Sequence, residues 1–283
     1  MAQASVAQFR IRCNWHLVAA ARTGIYGVKE IQMPKFDSAV TIIGENRLSD
    51  VVVTCDHASN NVPDEIGGLG LPTGEMERHI AYDIGAAGVS KHLAQLLTAP
   101  LVMSGFSRLV IDPNRGEDDP TLIMQLYDGT IISGNRNLSK AQRLWRLENC
   151  YRPYHAAVRD LLNRRAAPMI VAIHSFTSQL AGRPKRPWHI GVLHHHDTVL
   201  AAPLLKRLQA EPDLCVGENE PYGGHLVGDS IDRHALAKDR PNVLIEIRND
   251  LIETADQQIV WAERLAPMLA EIIARQPALK RSA

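Results

Sequence analysis

Three stretches, "VVVTCDHASN" (51–60), "MIVAIHSFT" (169–177) and "NVLIEIRND" (242–250), share one pattern. Each is an apolar, largely β-branched run that stops in groups able to hold a cation or move a proton. The first delivers His57, the second His174 and the third Glu246, with Arg248 two residues on and therefore on the same strand face. A carboxylate inside an apolar strand is costly to bury without a partner, a metal or a chemical task. Two imidazoles and one carboxylate make an open zinc set whose fourth position is left to water. A metal so held lowers the pKa of its water from about 15.7 to about 7. Asp83, in "HIAYDIGAAG", is the third candidate ligand, because it is a lone acid among Met76, Ile80, Ile84 and Ala87. Glu246 is then free to take the water's proton and pass it to a leaving amine.

"FSRLVIDPNR" adds Arg108 and Arg115. Guanidinium groups grip carboxylates through two parallel hydrogen bonds, so this pair suits a carboxylate-bearing substrate or a developing oxyanion. Ser59 and Asn60 follow His57, and Ser175 follows His174, as candidate cavity walls. Tyr222 and His225, around the flexible Gly223–Gly224 pair, are candidate substrate contacts from a lid. Each has a plainer reading: Asp83 paired with His79, Glu246 with Arg248, the arginines as loop anchors. "VLHHHD" (192–197) is the decoy, since consecutive strand residues point to opposite faces and cannot share one ion.

The elements that must position these groups alternate between short strands and longer helices, the α/β pattern. Strands are expected at Val40–Ile43, Val51–Cys55, Leu101–Met103, Arg108–Ile111, Met169–His174, His189–His194 and Val243–Ile247. Helices are expected at Glu75–Leu97, Ser139–Arg165 (divided at Pro153), Val199–Ala210 and Ala255–Arg275, the last capped by Thr254. Runs apolar on both faces belong in the middle of a sheet covered on both sides. The stretches 112–137 and 216–241 read as long functional loops. Residues 41–278 form the expected single domain. Residues 1–40, where four cations (Arg10, Arg12, Arg22, Lys29) face only Glu30, read as an extension outside it.

Composition removes several classes. Lysine plus arginine equals aspartate plus glutamate, 31 each, so there is no basic footprint for nucleic acid or an anionic membrane. No apolar run approaches the roughly 18 residues of a membrane span, and no apolar signal core follows the start. The four cysteines form no C-x-x-C pair, which argues against a zinc ribbon and fits the reduced cytoplasm.

In chain order, "CDHASNNVP", "RHIAYDIGAAG", "FSRLVIDPNR", "AIHSFTS" and "VLIEIRNDLI" together resemble the N-formylglutamate amidohydrolase family, over roughly residues 45–265. The resemblance implies a three-layer α/β/α fold with a mixed central sheet, of the phosphorylase/hydrolase-like kind shared with zinc carboxypeptidases and aspartoacylases. It implies hydrolysis of the amide of an N-acyl amino acid such as N-formylglutamate, as in histidine degradation. Carried over residue by residue, it puts the metal on His57, Asp83 and His174, the base on Glu246, and a substrate-carboxylate anchor on Asn114 and Arg115. Carboxypeptidases take a zinc-binding glutamate three residues after the first histidine. This chain has Asn60 there, so the anionic ligand must come from elsewhere. A peptide or other N-acyl substrate, and a non-catalytic metal-binding relative, stay open. So does another divalent ion in place of zinc.

Overall fold

The computed structural model describes Phe36 and residues 38–276, so most of the expected 1–40 extension, and residues 277 and 278, lie outside the described residues. In chain order the elements are β1 (Val40–Ile43), β2 (Val51–Cys55), α1 (Thr73–Met76), α2 (Ala86–Leu96), β3 (Leu101–Ser104), β4 (Leu126–Tyr127), β5 (Thr130–Ile131), α3 (Lys140–Arg146) and α4 (Arg152–Asn163). Then come β6 (Met169–Phe176), β7 (Ile190–Leu193), α5 (Ala201–Gln209), β8 (Val216–Glu218), α6 (Ser230–His234), β9 (Asn242–Arg248) and α7 (Ala255–Ala274).

Seven strands form one mixed sheet in the order β1-β3-β2-β6-β9-β7-β8. The inner four, β3, β2, β6 and β9, run parallel; β1 is antiparallel to β3 and β7 to β9, and β8 runs parallel to β7. Every residue of β2 and β6 is buried, as strands with helices on both faces require. One face packs on α2, α5 and α7 through Val51, Val53, Val171, Ile173, Val243 and Ile245. The opposite face meets α4, giving three layers. After β2 the chain passes to β3 on one side, and β6 is later laid on the other. The β2–β6 crevice is thus a switch point, where open α/β sheets place ligands beyond the carboxyl ends of their strands.

Most of the expected elements are present, and the departures are physical. The helix expected over Glu75–Leu97 is interrupted between α1 and α2. There Asp83 N donates to His57 O (3.0 Å), and Gly85 takes φ +80° at the start of α2. A Cβ on Gly85 would lie 2.1 Å from Ile252 O, so only glycine fits the approach. Arg108–Ile111 is not a strand. Ser107 Oγ accepts from Leu109 N and donates to Ala81 O, folding the run into buried turns. The Pro153 expectation holds: a wide five-residue turn, Leu147–Tyr151, separates α3 from α4. Thr254 caps α7 in a reciprocal pair with Gln257. The two long loops carry small elements of their own, the β4–β5 hairpin at Asp128–Gly129 in one, β8 and α6 in the other.

Candidate active site

Strand register builds the first pair. His174 on β6 lies directly opposite Glu246 on β9, and both point to the face away from Ile173 and Ile245. His57 stands two residues past the end of β2, and the interrupted segment before α2 brings Asp83 against both histidines. Asp83 Oδ2 lies 3.2 Å from His57 Nδ1 and 2.9 Å from His174 Nδ1, and it accepts from Ser175 N at 3.3 Å. The imidazole rings meet edge to face at 5.0 Å. His57, Asp83 and His174 are the one group among the described residues whose donor atoms converge for a metal, all within 4.8 Å of one another. Two of these separations already match the roughly 3.3 Å edge of a tetrahedron with bonds of about 2.0 Å.

The far ring nitrogens explain why the near ones converge. His57 Nε2 bonds to Asp112 Oδ1 at 2.7 Å, and His174 Nε2 to Asp56 Oδ2 at 3.2 Å. A carboxylate behind each imidazole fixes its tautomer and turns the Nδ1 lone pair inward, the usual arrangement behind metal-bound histidine. Asp112 in turn accepts from Arg108 Nη2 at 2.9 Å and from Asn114 N at 2.8 Å. Asp56 accepts from the Tyr154 hydroxyl and, at 3.2 Å, from Ser230 Oγ. Burial alone would raise Asp56, yet the His174 hydrogen bond and the nearby imidazoles hold it at about 2. Asp83 and Asp112 are likewise held low against their burial, by the histidines and by Arg108 respectively. His174 is raised despite burial by its two carboxylate partners. A cation held there would displace the proton that His174 otherwise keeps.

Glu246 is 6 % exposed, and its Oε2 is buried with no hydrogen-bond partner. Burial pushes its carboxyl up to about 7, with His174 lowering it and Asp83 raising it. It faces a cavity of about 260 Å³ that it shares with the His–Asp–His group. Two observations therefore fit a divalent cation: converging, carboxylate-backed donors, and an orphaned base at the same cavity.

Ten of the thirteen residues singled out in the sequence line this cavity: the three candidate ligands with Glu246, the Arg108, Asn114 and Arg115 group, and Ser175, Tyr222 and His225. Ser59, Asn60 and Arg248 are not brought to it. The chain turns after His57 so that Asn60 Nδ2 donates to Met76 O (3.0 Å) and Ser59 Oγ accepts from Asn61 N (3.1 Å). Arg248 turns to Asp250 Oδ1 at 2.7 Å rather than to Glu246. His79 pairs with Asp128 (3.3 Å), not with Asp83. In the histidine run, His194 bonds Glu218 at 3.0 Å and His195 bonds His196 at 3.0 Å. Sequence reasoning passed over Asp56 and Asp112. The available signal was an acid abutting each apolar run, directly before His57 and directly after "LVI".

A mixed sheet with a candidate metal centre and a buried carboxyl at the carboxyl ends of its strands is the arrangement that a metal-assisted hydrolase requires. Sequence comparison makes it particular. The pattern of the N-formylglutamate amidohydrolase family matches residues 49–253, and the chain belongs to that family. A gene product of Agrobacterium tumefaciens has a similar structure, with a TM-score of 0.79 at 35% identity over 84% of this chain and 95% of its own. The N-formylglutamate amidohydrolase of Ralstonia eutropha JMP134 shares the fold, with a TM-score of 0.64 at 23% identity over 84% of this chain and 97% of its own. No curated protein matches the sequence.

Proposed function

We propose that the chain is a metal-dependent amidohydrolase that cleaves the amide of an N-acyl amino acid of the glutamate type. N-formylglutamate, giving formate and glutamate, is the leading substrate and zinc the leading ion. When held by His57, Asp83 and His174, a divalent cation supplies Lewis acidity to the carbonyl oxygen and acidifies water. Glu246 takes the proton of the attacking water through its unpartnered Oε2 and returns it to the departing nitrogen. A carboxyl poised at about 7 can do both near neutral pH. Arg108 is fixed by Asp112 (2.9 Å) and Asp83 (3.4 Å), so its guanidinium meets developing negative charge already oriented. Among the described residues Arg115 donates to Asn114 O and Thr121 Oγ1 and has no carboxylate partner, which leaves it for the substrate's carboxylate. The small cavity supports a small N-acyl amino acid over a polymer. Free thiols at Cys55, Cys150 and Cys215 suit the cytoplasm.

The observation that carries this reading is Glu246 Oε2, buried beside the donor cluster without a partner. In Glu246→Gln, formate release from N-formylglutamate falls by roughly 10²- to 10⁴-fold, while metal content by elemental analysis stays at the wild-type level. Metal lost in step with activity would move Glu246 into the ligand set.

A further inference from the structure

Asp229 is a third buried carboxyl on the cavity wall, beside Asp83 and Glu246, and the chemistry above leaves it without a task. It is 8 % exposed and has no ion-pair partner. Its Oδ1 accepts from Asp232 N at 2.7 Å, capping α6. A dicarboxylic substrate sets a requirement that the cavity's cations do not meet. In the reading above Arg108, held between Asp83 and Asp112, serves the developing oxyanion, which leaves Arg115 for one carboxylate. Three of the other polar side chains on the wall are engaged within the protein. Ser175 Oγ donates to Ile84 O, the Tyr222 hydroxyl accepts from Arg186, and His225 is bonded to Asp232.

Resting on the N-acyl glutamate reading, we propose that Asp229 recognises the substrate's second carboxylate as a neutral acid, its O–H donating to that carboxylate. Two adjoining carboxyls in a shielded cavity cannot both stay ionised, so a proton comes to lie between them. The surroundings favour this state. Burial pushes Asp229 up to about 6, its backbone bond to Asp232 works against this, Asp56 and Asp232 raise it further, and His225 lowers it. Those three side chains are the charged groups that act on it most, Asp56 from the end of β2, Asp232 on α6 and His225 on the preceding loop, while Arg115 and His57 share its cavity wall. An arriving carboxylate that lifts Asp229 by about two further units keeps it mostly neutral at pH 7. The sign follows: affinity for a dicarboxylate is full below the free group's pKa and is lost as pH rises above it, by up to about tenfold per pH unit. A carboxamide in place of the second carboxylate carries no such dependence.

Binding of the products reads this without turnover. In calorimetry on the metal-loaded protein, the ratio of L-glutamate to L-glutamine affinity falls by roughly sixfold between pH 6.5 and 7.5, and at pH 7 glutamate takes up most of one more proton than glutamine when buffers of different ionisation heat are compared. Asp229→Asn still caps α6 and carries a permanent N–H donor. Its ratio is flat with pH and the extra proton uptake disappears. A wild-type ratio that does not change with pH, or an unchanged dependence in Asp229→Asn, overturns the proposal. So does a loss of glutamine binding alone in Asp229→Asn, which would make Asp229 an acceptor for a substrate N–H. Turnover of N-formylglutamate is measured alongside: its absence with pH-dependent glutamate binding intact sinks the functional reading and spares Asp229's role.

Discussion

Replacing Asp56 by Asn changes one charge and almost no volume. The side chain is wholly buried, and His174 Nε2 (3.2 Å), the Tyr154 hydroxyl and Ser230 Oγ (3.2 Å) all bond to it. An amide can still accept from His174, and the two hydroxyls can rotate to accept from its NH₂, so the three contacts can persist. What goes is the charge. Asp56 sits at about 2 against an ordinary 3.8, a gap of 3.8 − 2 = 1.8, which corresponds to about 2 kcal/mol in the metal-free chain. Because the folded pKa is depressed, that stability is present above about pH 4 and fades as pH falls through 2. Metal-free Asp56→Asn should therefore melt roughly 4–8 °C below wild type at pH 7, with the difference narrowing toward pH 2. The loaded protein reports the functional part. Losing the carboxylate behind a metal-bound imidazole costs roughly 10- to 100-fold in metal affinity. Competition with a chelating dye at pH 7 measures it. An affinity within about threefold of wild type would show that Asp56 does not orient His174 for a cation, and the two-carboxylate account of the centre would fail with it.

Two further outcomes follow from the same geometry. Arg115→Ala removes a guanidinium that no acid neutralises, so KM for N-formylglutamate should rise by roughly 10- to 100-fold with kcat nearly unchanged; a fall in kcat alone would place Arg115 at the reacting carbonyl instead. Gly85→Ala forces a Cβ to 2.1 Å from Ile252 O at φ +80°, which should cost more than about 3 kcal/mol and lower the melting temperature by roughly 6 °C or more. A melting temperature within about 2 °C of wild type would mean that the Gly85–Ile252 contact yields easily.

Much of this was legible in the chain itself, because strands and their ends are written locally. A fully buried strand needs an apolar run, and a histidine or glutamate that breaks the run announces an exception at a known height in the sheet. That is why His57, His174 and Glu246 could be named from their flanks, and Thr254 as a cap from its position before α7. The long-range partners were not legible in that way. Asp83 looked helical because "HIAYDIGAAG" has apolar residues at helical spacing, yet its bond to the His57 carbonyl and the Gly85–Ile252 approach win over local propensity. Arg108 looked like a strand residue until Ser107 closed a turn onto Ala81.

By itself, the sequence determined the α/β class, the apolar strands and the residue types available at their ends, since burial and period are properties of short windows. Only the tertiary structure decided that β2 and β6 lie side by side, that Asp56 and Asp112 stand behind the two imidazoles, and that Asp229 reaches the same cavity. Those pairings join residues up to 118 positions apart. They depend on how the sheet is ordered and where a buried charge can find its counterpart, which no local stretch of chain encodes.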